Sequence, residues 1–575
     1  MIETCVLLAY HAPMTMRRFT AGWLVIETCV LFAFGAFAEP APQVVHGVSG
    51  VAVQTATINF SKVAGEGTKA ASPRIASPAS ATNFDAVDDN NTFTPPDTQG
   101  AVGPNHVMTT LNSEIAIRDR GGALVTPVVS FQQFWASLMT GIDTVYGPQL
   151  VYEPFDNRWI FSTADYPGGS AAGNLFIGVS QTSDPTGTWF LYKIPAAGSL
   201  YFDSPRLGFN KDWIVVTVNV FHNSSGVWQG VNLFVFNKAN LYAHGSSLYT
   251  QFITTTAQSI FGPCPAQTFD NSLSTEYLAE DLEEDFSPRL RISTITGPVG
   301  SETLTLGVAF ATNTPWAAQA PAVNFLPQEG TTAKIDAYDS RVSNCVYRNG
   351  HLWAAHTIFL PSNSPTRASV QWWQFAPNGV VRQVGRIDDP NGVLHFAFPS
   401  IAVNKDDGVL IGYSRFSTNQ YVSANYSVRT SFDPLNTMRD STVYKAGLAP
   451  YNKTFSGTDN YWGDYSSTVV DPTDDQTLWT LQEYAASPAN TWGTWWAEVR
   501  VPSLVAPTII NPRRSSGIFT FSFLSANSQP YAVEYNTTLS AANWTALQTN
   551  MGDGSVQSVT NANSSAQRFF RLRSP

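Results

Sequence analysis

Short strand-like units recur in the same internal order along residues 93–501, and this recurrence constrains the fold more than any other feature of the chain. One unit leads from Gly103-Pro104-Asn105-His106-Val107-Met108 into Ile115-Ala116-Ile117-Arg118-Asp119. Another leads from Pro148-Gln149-Leu150-Val151-Tyr152 through Asn157-Arg158-Trp159-Ile160-Phe161 into Leu175-Phe176-Ile177-Gly178. A third joins Pro205-Arg206-Leu207-Gly208-Phe209 to Trp213-Ile214-Val215-Val216 and Leu233-Phe234-Val235-Phe236. Further copies begin at Arg341-Val342-Ser343-Asn344, at Pro399-Ser400-Ile401-Ala402-Val403 and at Tyr465-Ser466-Ser467-Thr468-Val469. Each reads as an inner strand, a turn carrying Asn or Asp, a second strand and an outer strand. So many strands require an architecture that hides sheet edges, and a β-propeller does so. At about 50 to 60 residues per unit, the zone is predicted to hold seven four-stranded blades. The competing architecture is a pair of β-sandwich domains.

The flanks read differently. Arg17 and Arg18 precede an apolar run over residues 24–37 that closes in Ala36-Phe37-Ala38, the pattern of a cleaved signal peptide over residues 1–38 whose true start is Met16. A signal anchor is the alternative. Residues 39–91 are dominated by Ala, Ser, Thr, Pro and Val without a sustained period and read as a linker, leaving residues 92–501 to the propeller. Residues 502–507 form a proline-punctuated joint to a small β-sandwich over 502–575, where Phe519, Phe521 and Phe523 alternate with Thr520 and Ser522 as on a half-buried strand.

Three phrases carry a resemblance: Pro96-Asp97-Thr98-Gln99-Gly100-Ala101-Val102-Gly103-Pro104-Asn105, Ser180-Gln181-Thr182-Ser183-Asp184-Pro185-Thr186-Gly187-Thr188-Trp189, and Trp462-Gly463-Asp464-Tyr465-Ser466 followed by Val470-Asp471-Pro472. In this order they resemble an uncharacterised family of exported bacterial β-propeller-like proteins, over most of residues 92–501. The resemblance implies fold and export, not a reaction. Tyr531-Ala532-Val533-Glu534-Tyr535, Leu539, Trp544 and Arg568-Phe569-Phe570-Arg571-Leu572 resemble the small C-terminal β-sandwich of exported proteins from the Verrucomicrobia and their relatives.

Charge and cysteine usage narrow the partners. A net charge of −11 with no basic run argues against nucleic acid, because phosphate binding needs clustered Lys and Arg. No segment after the leader is apolar enough to span a membrane, so the protein is expected to be secreted or extracellular, at the cell surface or in the periplasm. Of four cysteines, Cys5 and Cys29 leave with the leader, so Cys264 and Cys345 are the one possible disulfide in an oxidising compartment.

Propellers place ligands at one mouth of the central channel, where inner strands end and loops connect them. Asp464, Glu483, Asp97 and Asp203 are candidates for a general acid and base of glycoside cleavage; the favoured explanation, an Asp beside Gly that caps its own turn, needs no substrate. A sialidase would need three arginines to grip a carboxylate, and Arg206, Arg341 and Arg415 fall near blade starts. It would also need a Tyr-Glu pair, but Glu483 and Tyr484 are adjacent on one strand and point to opposite faces. The turn at residues 183–189 has sialidase-like elements at altered spacing and is expected to be structural. Calcium is the possible cofactor: Asp471, Asp474 and Asp475 share one turn, Asn404, Asp406 and Asp407 another, and Asp85, Asp88, Asp89 and Asn90 cluster before the first blade. Ordinary solvated turns account for all three sets. Zinc lacks a histidine pair at ligand spacing, and there is no nucleophile elbow or phosphate-cradling loop.

For binding, the chain has 16 Trp and 21 Tyr. Trp372 and Trp373, Trp495 and Trp496, with Trp492 and Trp462, could offer rings that stack on a sugar, or could be buried between blades. The reading that follows is an exported propeller that recognises an extracellular glycan or envelope protein, with the C-terminal sandwich as an attachment or sorting module. The alternative is a sialidase-like or other glycoside hydrolase. A hydrolase predicts carboxyls converging at one channel mouth; a binder predicts exposed aromatic rings.

Overall fold

The computed structural model describes residues 43–45, 75–139, 144–166, 171–256, 260–282, 289–312, 314–454, 457–502, 508–525, 529–538, 544–553, 555–562 and 567–573. The leader, most of the 39–91 stretch, the 503–507 joint and Leu539 lie outside them. No helix among the described residues is long and apolar enough to cross a membrane.

The middle zone is a seven-bladed β-propeller. The innermost strands of blades 1 to 7 are Gln99–Val102, Thr144–Glu153, Leu200–Phe209, Cys264–Pro265, Val342–Arg348, His395–Val403 and Ser467–Val470. Each is followed outward by antiparallel neighbours, as in Trp213–His222, Trp228–Asn237 and Tyr249–Ile253 of blade 3. The inner strands neighbour one another in this order, and that of blade 7 returns beside that of blade 1. There Ser467 Oγ accepts from the Gly100 N–H at 2.9 Å and lies 3.0 Å from Gln99 Oε1.

The ring closes from both ends of the sequence. Blade 7 takes its outermost strand, Thr82–Asp88, from before blade 1, antiparallel to Trp492–Val499. The propeller therefore reaches into the stretch that reads as a linker. The physical reason is a short amphipathic run: Ala86 and Val87 are buried, Phe84 packs 6.2 Å from the Trp479 ring, and Val87 exchanges hydrogen bonds with Thr494 Oγ1. Seven residues whose buried pair, Ala86 and Val87, is adjacent rather than alternating give no period to stand out in a Ser/Thr/Ala-rich context.

Apolar layers fill the spaces between blades, since sheets packed face to face bury both surfaces of their central strands. Trp353 and Trp372 meet Phe396, Ile401 and Tyr413 between blades 5 and 6; Trp479 and Trp496 meet Val102 and Val107 between blades 7 and 1. The tail is two three-stranded sheets enclosing Phe521, Phe523, Tyr531, Val533 and Val559.

Two features position the centre. In blades 2, 3 and 6 the inner strand is kinked by one extra residue, at Gly147-Pro148, Ser204-Pro205 and Phe398-Pro399, each with a left-handed residue before the proline. Such bulges re-aim the adjoining side chains, here near the start of the strand. At the other end, Gln267 bridges Phe209 of blade 3 and Val346 of blade 5 by parallel pairing, drawing three blades together. The polar groups gather at the end where inner strands begin.

Candidate functional site

A narrow pocket continuous with solvent opens where the inner strands begin; Arg206, Tyr338, Arg341, Phe398, Asp464 and Tyr465 contribute to its walls. Three carboxyls converge on this region from different blades. Asp97 precedes the inner strand of blade 1, Asp203 sits at the kink of blade 3, and Asp464 precedes the inner strand of blade 7. Asp97 lies within electrostatic reach of both Asp464 and Asp203.

Burial dominates their chemistry. It raises the Asp464 carboxyl to about 7, against the opposing pull of Arg341, with Asp203 and Asp339 pushing the same way as burial. Burial and the neighbouring Asp464 hold Asp97 well above the usual carboxylate range. Asp203 is also raised by burial, but Arg341 and the Ser204 N–H and hydroxyl favour its charged form. The Tyr338 hydroxyl faces the Asp464 carboxyl and favours its charged form, while Asp97 Oδ1 is buried without a hydrogen-bond partner. Native interiors rarely leave such atoms unmet unless water or a ligand meets them.

The guanidinium of Arg341 is held by Asp339, Nε to Oδ1 at 2.7 Å and Nη2 to Oδ2 at 2.5 Å, with Nη1 3.3 Å from Ser204 Oγ. Arg206 donates to the Ser343 carbonyl at 2.8 Å and lies 5.2 Å over the Tyr465 ring. Asp97, Ser204, Tyr338 and Phe398 all have φ between 49° and 57°. For bulky Tyr338 and Phe398 that conformation is strained, and such strain collects at functional sites.

Glu483 lies deeper, fully buried, accepting the Gly463 N–H at 2.9 Å while its Oε1 is unpartnered. Burial, with Asp89, Asp97 and Asp464 nearby, raises it well above the carboxylate range. Its neighbour Tyr484 turns the other way, 6.1 Å from the Trp495 ring, as strand alternation requires.

The structure thus brings together Asp97, Asp203, Asp464, Glu483, Arg206 and Arg341. It does not bring Arg415 to the mouth: that side chain bonds Gln420 within its own blade. Sequence reasoning missed Tyr338 and Asp339, which arrive on the loop between blades 4 and 5. The left-handed kinks were detectable as the repeated Gly-Pro, Ser-Pro and Phe-Pro steps that mark the inner strands.

Other expectations are corrected. Trp372, Trp373, Trp462, Trp492 and Trp496 are at most 1 % exposed and form interblade core, so no sugar can stack on them. Trp495 is partly exposed, but Lys445 lies 3.5 Å over its ring. The calcium candidates spend their oxygens on local bonding. Asp471 accepts from Arg120, from Trp479 Nε1 at 3.0 Å and from the Thr473 N–H at 2.9 Å. Asp474 caps Gln476 and Thr477, Asp475 pairs with Arg348, Asn404 caps Asp406 and Gly408, and Asp406 accepts from Gln476. Among the described residues no group of three or more His, Cys, Asp or Glu side chains could hold a metal ion. Cys264 and Cys345 are buried free thiols in the core between blades 4 and 5, not a disulfide. The turn at residues 183–189 is peripheral and self-capped, Asp184 accepting the Thr186 N–H at 2.9 Å.

No family model matches the chain, and no curated protein matches it. Solved structures do. A protein of unknown function from Dyadobacter fermentans is 9% identical, with 62% of this chain and 95% of that one covered at a TM-score of 0.36. The endosialidase of phage phi92 is 9% identical, covering 83% of this chain and 76% of its own at 0.37. An α-L-arabinanase from Penicillium chrysogenum is 9% identical, covering 74% and 99% at 0.35.

Proposed function

We propose that this protein is an exported glycoside hydrolase whose reaction takes place at the propeller mouth. The observation that carries this reading is the electrostatic convergence of Asp97, Asp203 and Asp464 from three blades beside a pocket that Asp464 lines. A sugar ring supplies hydroxyls that donate and accept at close spacing, which suits a wall offering carboxyl oxygens beside guanidinium and phenol donors.

The three acids cannot all ionise together, so environment divides their roles. Asp464, held near 7, keeps its proton into the neutral range and is the general acid that protonates the departing glycosidic oxygen. Asp203, with Arg341 and the Ser204 donors beside it, ionises most readily and is the carboxylate that acts at the anomeric carbon, directly or through a water. Asp97, raised by burial and by Asp464, stands behind them. The other reading, a recognition surface of stacked aromatic rings, draws less support, because Trp372, Trp373, Trp462, Trp492 and Trp496 lie inside the blades. Export follows the leader and the resemblance to secreted propellers, and places the substrate outside the cytoplasm.

The test is turnover of a panel of fluorogenic glycosides by protein beginning at Glu39, compared with Asp464→Asn and Asp203→Asn. Turnover lost in both variants supports the reading. Binding of glycans without turnover by any wild-type preparation returns the protein to the class of recognition modules.

A further inference from the structure

Two arginines line the mouth pocket. Asp203 and Asp464 lie against Arg341, whose guanidinium is already clasped by Asp339. Arg206, beside it, has no such neighbour: among the described residues no carboxylate stands within ion-pair distance of it. It is nonetheless only 3 % exposed, and its Nε–H is buried without a partner.

A guanidinium removed from water and left without an anion is costly, and proteins seldom keep one unless something else brings the charge. The side chain is also fixed rather than free to swing into solvent: Nη1 is tied to the Ser343 carbonyl at 2.8 Å, and Cζ lies 5.2 Å from the Tyr465 ring centroid. The kink at Ser204-Pro205 re-aims the strand immediately before Arg206. Such a group is pre-organised for a planar anion, which its fork matches with two parallel N–H bonds.

We infer that Arg206 receives the carboxylate of an acidic sugar, so that the ring bound in the pocket belongs to a uronate-containing or sialylated glycan. This rests on the glycosidase reading for the reaction, but the binding of the carboxylate does not. Arg206 grips the substrate's anion while the acids near Arg341 act on the glycosidic bond.

The experiment uses the full chain from Glu39 and matched pairs of 4-methylumbelliferyl glycosides: glucuronide against glucoside, galacturonide against galactoside, and a sialoside. Free glucuronate and sialate are titrated by calorimetry in parallel. Expected is turnover of an acidic member with its neutral partner far weaker, and a loss of at least about 30-fold in kcat/KM for the acidic substrate in Arg206→Met. Arg206→Lys, which keeps the charge but not the fork, should recover part of that loss and guards against a misfolded Arg206→Met. The member of the panel that is cleaved separates uronides from sialosides. Turnover of neutral glycosides alone, dependent on Asp464, would overturn this inference and leave the glycosidase reading standing. Arg206-dependent binding of glucuronate or sialate without turnover of any glycoside would do the reverse.

Discussion

Glu483 Oε2 accepts the backbone N–H of Gly463 at 2.9 Å, one residue before Asp464, and a Cβ placed on residue 463 would come within 2.4 Å of that same oxygen. The loop that presents Asp464 is therefore seated on a buried carboxyl, and the seat exists only because residue 463 has no side chain. Gly463→Ala should displace the Asp464 loop and reduce glycoside turnover by about tenfold or more, since small misplacements of a reacting group are expensive. Glu483→Gln, a neutral isostere that still accepts from Gly463, should retain most of the activity, and Glu483→Ala should not. Steady-state kinetics of the three variants, with circular dichroism to check the fold, decides it. Equal losses in Glu483→Gln and Glu483→Ala would mean that Glu483 acts through its charge rather than as a seat.

Asp464→Asn should remove the general acid at almost no change in volume. Loss of a positioned acid typically lowers turnover by about 10²- to 10⁴-fold, and the loss should be smallest for substrates whose leaving group departs without protonation. Comparing a dinitrophenyl glycoside with a methylumbelliferyl one measures this. A uniform loss across leaving groups would assign Asp464 a different role.

Stability should depend on pH in a direction set by buried acids, Asp464 and also Asp336, which lies buried beside the site and accepts the Tyr338 N–H at 2.9 Å. Asp464 and Asp336 are both raised by burial to about 7, while in the unfolded chain each titrates near the ordinary Asp value of about 4. Between those values the unfolded chain has released protons that the native state still binds. Stability is therefore fully present below about pH 4, falls as pH rises, and has lost this contribution above about pH 7. Melting temperature should drop from pH 5 to pH 8. Asp464→Asn should flatten the drop and melt higher than wild type at pH 8, while being the less active protein, the trade expected where a strained site serves function. A melting temperature that climbs toward pH 8 would contradict the burial argument.

Much of this was readable before the structure. The repeats announced the propeller because each inner strand must present the same run of apolar residues to its neighbours, and Asp97, Asp203, Asp464, Arg206 and Arg341 were found because they stand at the starts of those repeats. The aromatic doublets were harder. On an edge strand one ring of Trp372-Trp373 would face solvent, but their strand, Arg367–Phe375, pairs on both sides and its blade is covered on both faces, so both rings are core. No local pattern distinguishes the two cases. Tyr338 and Asp339 were invisible for a different reason: they lie on an irregular loop whose path is set by tertiary packing.

The strand Thr82–Asp88 should act as the clasp of the ring. It supplies Ala86 and Val87 to the core and covers the outer edge of blade 7. A chain beginning at residue 75 should melt close to the full-length protein, whereas one beginning at residue 91 should lose on the order of 3 kcal/mol or more from buried apolar surface and an unpaired edge. Thermal melts of the two truncations test this. Equal melting temperatures would show that blade 7 closes the ring without its borrowed strand.

The two thiols offer a last check on the core. Cys264 and Cys345 lie in neighbouring inner strands; burial pushes the Cys264 thiol up to about 11 and the Cys345 thiol well above its ordinary value. Thiolate is the reactive form, so burial and raised pKa both silence them. Protein beginning at Glu39 should therefore show no reaction with a thiol-titrating disulfide when native, and two reactive thiols per chain once unfolded without reductant. Two thiols appearing only after reduction would mean that the exported protein closes the bond its compartment permits. The inner strands of blades 4 and 5 would then be joined covalently rather than by packing alone.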